Sequence, residues 1–103
     1  MDLRDKIRNI QDFPQEGVLF RDITTLLKDA EGMKEAIDQM TAKLEGVDFD
    51  LVLGPESRGF ILGGALAARL GAGFVMARKP GKLPAETIEE TYAKEYGTDC
   101  IQI

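Results

Sequence analysis

The feature that most constrains the fold is a strand, helix, strand pattern in the second half of the chain. An apolar run at residues 49–54, "FDLVLG", precedes an apolar helical segment at residues 60–71, and a second apolar run, "GFVMARK", follows at residues 73–79. Apolar runs this short are typical of strands buried on both faces of a parallel sheet. The pattern therefore predicts a β-α-β unit, in which Gly63 and Gly64 allow a neighbour to approach the helix closely.

Helices are also predicted ahead of this unit. Residues 1–10 are expected to form a short helix, because apolar side chains recur on one face. The segment "VLF" is expected to be extended, and "DITTLLKD" begins a short helix with Asp22 as its cap. A longer helix, ended by Gly46, is predicted from five apolar residues spaced as one buried stripe: Met33, Ala36, Ile37, Met40 and Leu44.

After the β-α-β unit, the pattern predicts a hairpin. "TIEETYAKEYG" and "TDCIQI" are two candidate strands joined by a glycine-containing turn. The predicted fold class is therefore α/β, with a parallel sheet flanked by helices and a protruding β-hairpin. Residues 1–103 are expected to form a single domain.

Composition and charge exclude several classes of function. The formal net charge of -5 argues against nucleic acid as a partner, because a phosphate backbone requires a large basic face. The sequence has no histidine, which excludes histidine general bases, Ser-His-Asp triads and histidine-ligated zinc within the chain. A single cysteine, Cys100, excludes an intramolecular disulfide and fits a reducing compartment. A charged N-terminus and the lack of long apolar runs predict a cytoplasmic protein without membrane partners.

Cationic turns follow both strands of the β-α-β unit, where ligands bind in open α/β sheets. "GPESRG" places Arg58 beside the N–H groups of a helix start, which together form an anion site. "ARKPGK" places Arg78, Lys79 and Lys82 directly after the second strand. If the strands are neighbours, these cations converge and suit a diphosphate better than a single carboxylate. Taken alone, each turn is explained at least as well by a solvated loop as by an anion site.

A third candidate is the segment "FPQEGVLFRD", in which Phe13 and Phe20 flank a glycine. An aromatic ring beside backbone polar groups can hold a flat heterocycle by stacking and by hydrogen bonds to its edge. Without other information, the interpretation that both phenylalanines belong to the core is favoured.

Four segments, in this order and at these intervals, closely resemble the adenine phosphoribosyltransferase family of type I phosphoribosyltransferases: "FPQEGVLFRDITTLL", "GPESRGFILGGALAARLG", "RKPGKLP" and "EYGTD". The resemblance implies a purine-salvage reaction, in which adenine N9 attacks C1 of phosphoribosyl diphosphate and Mg-diphosphate leaves, giving AMP. It also implies that Mg²⁺ is bound through the diphosphate substrate, and no metal ligand within the protein is expected.

The resemblance assigns roles to residues of three segments. The adenine pocket of the family corresponds to three consecutive residues: Leu19, Phe20 and Arg21. Its diphosphate-binding groups correspond to residues of the two cationic turns: Ser57, Arg58, Arg78 and Lys82. The family contacts diphosphate in part across a dimer interface, so a homodimer is expected.

The resemblance also selects Glu95 as the candidate catalytic acid/base near the purine. Tyr96 beside it matches the tip of a flexible loop that closes over the site and keeps water from a reactive sugar cation. Residue pattern alone does not distinguish Glu95 from the other glutamates of this segment, which are equally well explained as solvated hairpin charges.

The resemblance breaks off after the hairpin. Family members continue with a strand ending in two acidic residues that grip the ribose hydroxyls, and with a Gly/Thr-rich turn that cradles the 5-phosphate. No "VDD…TGGT" pattern occurs in these 103 residues. The chain is therefore expected to be the N-terminal portion of a phosphoribosyltransferase, truncated after the hairpin, without its C-terminal ribose-phosphate-binding half. Alone, it is expected to be inactive or nearly so.

Two other functions stay open. The chain can be a non-catalytic purine- or nucleotide-binding or regulatory module of the same fold, although the short segment ahead of the fold in this sequence shows no basic helix of the kind expected for DNA binding. It can also be a related transferase for another base, although the "GVLFRD" segment favours adenine.

Overall fold

The computed structural model describes residues 1–94 and 97–103, which divide into two units, Met1–Leu44 and Glu45–Ile103. The first unit contains a 3-10 turn, two strands and two helices: Leu3–Lys6, β1 (Arg8–Gln11), β2 (Leu19–Asp22), α1 (Thr24–Leu27) and α2 (Ala30–Lys43). The described residues of the second contain four strands and one helix: β3 (Leu51–Pro55), α3 (Arg58–Leu70), β4 (Gly73–Ala77), β5 (Glu89–Lys94) and β6 (Gly97–Gln102). The single domain expected for the whole chain stays a prediction.

The helix predicted for residues 1–10 is wrong. Asp2 accepts a hydrogen bond from the backbone N–H of Arg4 at 3.0 Å and caps a single 3-10 turn. The chain then extends into β1, which pairs antiparallel with β2, so that Ile10 lies opposite Phe20. Pairing with a second strand satisfies the backbone groups that a helix would have used locally. The extended segment predicted around Phe20 is confirmed.

Asp22 is buried where β2 leads into α1, and its carboxylate is held by two neighbours. Oδ1 accepts from the backbone N–H of Thr24 at 2.9 Å and from its hydroxyl at 2.8 Å, while Oδ2 accepts from Arg8 Nε at 3.0 Å. The Thr24 backbone N–H, followed by the Arg8 guanidinium, lowers the pKa of Asp22 to about 2. The prediction of Asp22 as the helix cap is wrong by one residue, because Ile23 occupies the cap position. Asp22 lies just before it and accepts from the first N–H of the helix, that of Thr24.

This carboxylate makes stability depend on pH. Because the pKa of Asp22 is lower in the folded chain than in the unfolded chain, ionised Asp22 stabilises the fold above about pH 4, and this contribution is lost as the pH falls towards 2. We expect the melting temperature of the natural chain to exceed that of Asp22→Asn near neutral pH, and the difference to shrink steadily on acidification. Thermal melts followed by circular dichroism between neutral pH and pH 2 measure this.

Asp5→Asn is the matched control, because Asp5 is an exposed aspartate of the same unit. Its melting temperature should differ little from that of the natural chain at every pH. A difference between Asp22→Asn and the natural chain that stayed constant down to pH 2 would contradict the prediction.

The predicted long helix is confirmed as α2. Asp29 caps it by accepting from the Gly32 N–H at 2.9 Å. Ala36 and Ile37 of the predicted apolar stripe are buried. Gly46 adopts a left-handed φ of 80° shortly after the helix ends, which fits its predicted role as a stop.

The β-α-β unit is also confirmed, since β3 and β4 pair in parallel and α3 connects them. Gly63 lies so close to the Phe74 ring that an added Cβ would approach the ring to 2.7 Å, whereas a Cβ added at Gly64 would meet open space. The predicted close approach of a neighbour is therefore confirmed at Gly63 and is wrong at Gly64. The prediction that both strand faces are buried is wrong. Leu51 and Leu53 are 61% and 53% exposed, because α3 covers the opposite face of the pair.

The predicted hairpin is confirmed, with β5 and β6 pairing antiparallel. The backbone of Gln102 in β6 also exchanges hydrogen bonds with that of Arg78, at 2.8 and 2.7 Å. The hairpin is therefore fastened to the residue that follows β4. Among the residues that the structure describes, none of the helices is long and apolar enough to cross a membrane.

Candidate functional site

The two cationic turns meet at one edge of the parallel strand pair. Register places Pro55, the last residue of β3, beside Ala77, the last residue of β4. The next residue, Glu56, donates its backbone N–H to the Ala77 carbonyl oxygen at 2.8 Å. Since the carboxyl ends of parallel strands point the same way, both turns leave from the same edge. The predicted adjacency of the two turns is confirmed.

Glu56 provides a side-chain contact between these turns. Its Oε1 accepts from Arg78 Nε at 3.2 Å and from the backbone N–H of Lys79 at 2.8 Å. The Glu56 side chain is 16% exposed and that of Arg78 is 31% exposed. The Lys79 N–H, and then the Arg78 guanidinium, lower the pKa of Glu56. The carboxylate therefore stays ionised and holds the second turn against the first.

Arg78 is held from three directions. Glu56 takes its Nε edge, and the Phe60 ring lies below it, with the ring centre 5.7 Å from Cζ. Phe60 itself packs edge-on against Phe74, with ring centres 6.0 Å apart. The backbone of Arg78 is fixed by its pairing with Gln102. A guanidinium fixed in this way is pre-organised for the planar, two-point recognition of phosphate oxygens.

Ser57 and Arg58 begin α3 at the same edge. Ser57 occupies the cap position, and its side chain makes no capping hydrogen bond. Both side chains are exposed, and the peptide bond between Glu56 and Ser57 is cis. The first turn of a helix of 13 residues presents backbone N–H groups and the positive end of the helix dipole, which favour an anion.

Lys79 and Lys82 lie on the second turn. The Lys82 N–H donates to the Lys79 carbonyl oxygen at 3.3 Å, and Gly81 between them has a left-handed φ of 82°. Both lysine side chains are exposed. The structure thus joins Glu56 to Arg78 and Lys79, whereas a common meeting point for the side chains of Arg58 and Lys82 stays a prediction.

Sequence reasoning missed Glu56 and Phe60. In the parallel register, each residue of β3 lies beside the residue 22 positions later, which pairs Glu56 with Arg78. Their opposite charges were a usable signal once that register was assumed. Phe60 is placed under Arg78 by its position in the first turn of α3, and the sequence gives no separate indication of that contact.

The residues predicted to bind adenine lie on β2, in the first unit. Arg21 pairs across the strands with Asn9 and donates from a terminal guanidinium nitrogen to Asn9 Oδ1 at 2.9 Å. Both line a concavity of about 420 Å³ together with Arg4 and Ile7. Leu19 at the start of the strand is exposed.

The aromatic pair beside them is only partly buried. Phe20 packs edge-on against Phe13, with ring centres 5.1 Å apart. Phe13 is 48% exposed, so the interpretation of both rings as core residues is wrong for Phe13. The structure thus presents one aromatic ring at the surface beside β2.

Two predicted site residues, Glu95 and Tyr96, lie outside the described residues. Within residues 1–94 and 97–103, no group of three or more acidic, cysteine or histidine side chains could hold a metal ion. The roles assigned to all of the predicted site residues stay predictions.

Comparison with known proteins identifies relatives along almost the whole chain. No family model matches it. A curated adenine phosphoribosyltransferase from Phocaeicola vulgatus is 62% identical over 101 residues, which are 98% of this chain and 58% of that protein. The crystal structure of adenine phosphoribosyltransferase from Thermoanaerobacter pseudethanolicus has a TM-score of 0.91 at 52% identity, over 98% of this chain and 59% of that one.

A third relative was crystallised with ligands. The enzyme from Saccharomyces cerevisiae, in complex with an iminoaltritol bisphosphate and adenine, has a TM-score of 0.89 at 41% identity and covers 98% of this chain. The present chain spans 60% of that protein, so all three relatives are considerably longer.

The parallel strand pair, its connecting helix and the hairpin form part of a type I phosphoribosyltransferase fold, which confirms the predicted fold class. Over 98% of its length the chain is similar to adenine phosphoribosyltransferases, at 62% and 52% identity, and it spans 58% and 59% of these two relatives.

Proposed function

We propose that the chain is part of a purine-salvage enzyme that transfers the phosphoribosyl group of phosphoribosyl diphosphate to adenine, giving AMP and diphosphate. The observation that carries this proposal is the pair of joined cationic turns, in which Arg78 is fixed beside the start of α3. A glycosyl transfer of this kind develops negative charge on the leaving diphosphate. Fixed cations and helix N–H groups aimed at that charge stabilise it without reorganising during the reaction.

The diphosphate is proposed to bind at this edge through two kinds of group. Ser57 and Arg58 contribute from the first turn of α3, with backbone N–H groups beside them. Arg78 and Lys82 contribute cationic side chains from the second turn. Mg²⁺ is proposed to enter as part of the substrate, bound to the diphosphate oxygens, which suits its preference for phosphate oxygen ligands.

Adenine is proposed to bind at β2, as the relative from Saccharomyces cerevisiae was crystallised with adenine. Leu19, Phe20 and Arg21 are the proposed contacts. Since β2 pairs with β1 along one edge, alternate backbone groups of β2 point away from β1 and can read the edge of a base. An aromatic ring beside such groups adds stacking.

The remaining parts of the proposal rest on the similarity to adenine phosphoribosyltransferases. Glu95 is proposed as the acid/base at the purine, and Tyr96 as part of the loop that closes over the site. We propose that the active form is a homodimer, in which Arg78 and Lys82 reach diphosphate in part across the interface. A cytoplasmic location is proposed because the composition fits a reducing compartment.

The test follows AMP formation from adenine, phosphoribosyl diphosphate and Mg²⁺. One arm uses the 103-residue chain, and a second uses residues 1–103 joined to the remaining segment of the Phocaeicola vulgatus relative. We expect AMP from the joined protein, with little or none from the chain alone, and adenine consumed in preference to hypoxanthine and guanine. A joined protein that is folded and dimeric but forms no AMP would count against the proposed reaction, and a preference for hypoxanthine would count against the proposed base.

A further inference from the structure

Glu56 places a negative charge where the proposed site binds an anion. Its carboxylate contacts Arg78, and its neighbour in the chain is Ser57, another proposed diphosphate ligand. By charge alone, Glu56 weakens the attraction between this edge and a diphosphate. If this edge binds diphosphate, the repulsion from Glu56 must be offset by a favourable contribution that Glu56 makes to binding.

We propose that Glu56 is a positioning residue for the diphosphate site: it holds Arg78 by the Nε edge and Lys79 by its backbone N–H, so that the terminal nitrogens of Arg78 face the diphosphate. The inference rests on the proposed function, because it assigns a role within the same site. Glu56 itself does not contact substrate in this proposal.

The geometry indicates that Glu56 positions Arg78 and does not merely neutralise its charge. One oxygen, Oε1, accepts from both Arg78 Nε and the Lys79 N–H, at 3.2 and 2.8 Å, so a single atom sets the position of a side chain and of the backbone next to it. The donor in the hydrogen bond from Lys79 is an uncharged backbone N–H, so neutralising a cation does not explain this second contact. The Glu56 backbone N–H is bonded to Ala77 as well, which leaves Glu56 little freedom to move.

The Phe60 ring completes this arrangement. Arg78 Cζ lies over the Phe60 ring, 5.7 Å from its centre, while Nε donates to Glu56. These two contacts limit rotation about the side chain of Arg78. The entropy lost in ordering this long side chain is then lost during folding and not during binding, which favours affinity.

The test uses Glu56→Gln, which removes the charge but keeps an oxygen able to accept from the Lys79 N–H. Glu45→Gln is the matched control, because it removes the same charge from an exposed glutamate of the same unit. Mg-diphosphate is titrated into each protein by calorimetry, and adenine binding is measured in parallel. The ¹⁵N NMR signal of Arg78 Nε–H in the unliganded proteins reports the contact itself.

The two explanations predict opposite signs. If Glu56 acts through charge alone, Glu56→Gln should bind Mg-diphosphate more tightly than the natural chain. If it positions Arg78, we expect binding about tenfold weaker, because the hydrogen bond that orders Arg78 loses the charge of its acceptor and is weakened. The Arg78 Nε–H signal should move in Glu56→Gln and stay in place in Glu45→Gln, while adenine binding stays unchanged in both.

Other outcomes separate this inference from the proposed function. If the natural chain binds Mg-diphosphate and Glu56→Gln binds it equally or more tightly, the inference is wrong and the diphosphate site stands. If the natural chain binds no Mg-diphosphate, the proposed site is wrong, and the role of Glu56 within it falls as well.

Discussion

Arg78→Ala is expected to weaken the binding of Mg-diphosphate by about 30- to 100-fold, since charge-assisted contacts of an arginine to phosphate are strong and partly desolvated. The substitution removes the proposed ligand group, and it also leaves the Glu56 carboxylate without its guanidinium partner at an anion site. Both changes act in the same direction. Titration calorimetry with Mg-diphosphate measures the loss, and a thermal melt of each variant checks that the fold is kept.

Arg69→Ala is the matched control for this prediction. Arg69 lies in the last turn of α3, at the end of the helix opposite to the proposed site. Removing it takes away the same positive charge, so a general electrostatic effect would weaken both variants alike. Arg78→Lys should be intermediate, because a lysine keeps the charge but cannot offer the Nε edge and the planar fork together. Equal affinities for Arg78→Ala and the natural chain would contradict a role for Arg78 in diphosphate binding.

The placement of the cationic turns could be predicted from the sequence. Two short apolar runs separated by a helix favour a parallel strand pair, and the topology then places the following turns at one edge. The turns at Glu56 and Arg78 meet there as expected. This inference needed no side-chain detail, because the hydrophobic pattern and the handedness of the connection determine it.

The contacts within the site depend on register, which the sequence leaves open. Shifting β3 against β4 by one residue would place Arg78 beside Pro55 or Ser57 instead of Glu56. Apolar runs without polar alternation, such as residues 51–53, do not distinguish these registers. The pairing of Glu56 with Arg78 therefore required the structure.

The helix predicted for residues 1–10 is wrong for a related reason. Leu3, Ile7 and Ile10 fit the spacing of a helix, but a pattern of three residues is weak. The segment gains more from pairing with β2, where Arg8 also meets the buried carboxylate of Asp22. Pairing with β2 therefore determines the conformation of the N-terminal segment. The partner of Arg8, Asp22, lies 14 residues further along the chain.

Gly54→Ala is expected to lower the free energy of unfolding by about 2–3 kcal/mol, in the range of overpacked core positions. A Cβ at this position would lie 2.5 Å from the Gly59 carbonyl oxygen and 2.7 Å from the Phe74 ring. The closest of these atoms belongs to the backbone at the start of α3, which cannot turn away as a flexible side chain can. The end of β3 and the first turn of α3 must therefore separate, and the proposed diphosphate edge is built from these two segments.

Gly64→Ala provides a control with the opposite sign. An added Cβ at Gly64 meets no atom within 4 Å, and this residue lies inside α3. Alanine should therefore stabilise the helix by about 0.5–1 kcal/mol, because it loses less backbone entropy than glycine on folding. Urea unfolding followed by circular dichroism gives both changes from the transition midpoints. If Gly54→Ala unfolded at the same urea concentration as the natural chain, the backbone at the start of α3 would have to be mobile enough to accept a methyl group. The pre-organised edge inferred from Glu56 and Arg78 would then lose its structural basis.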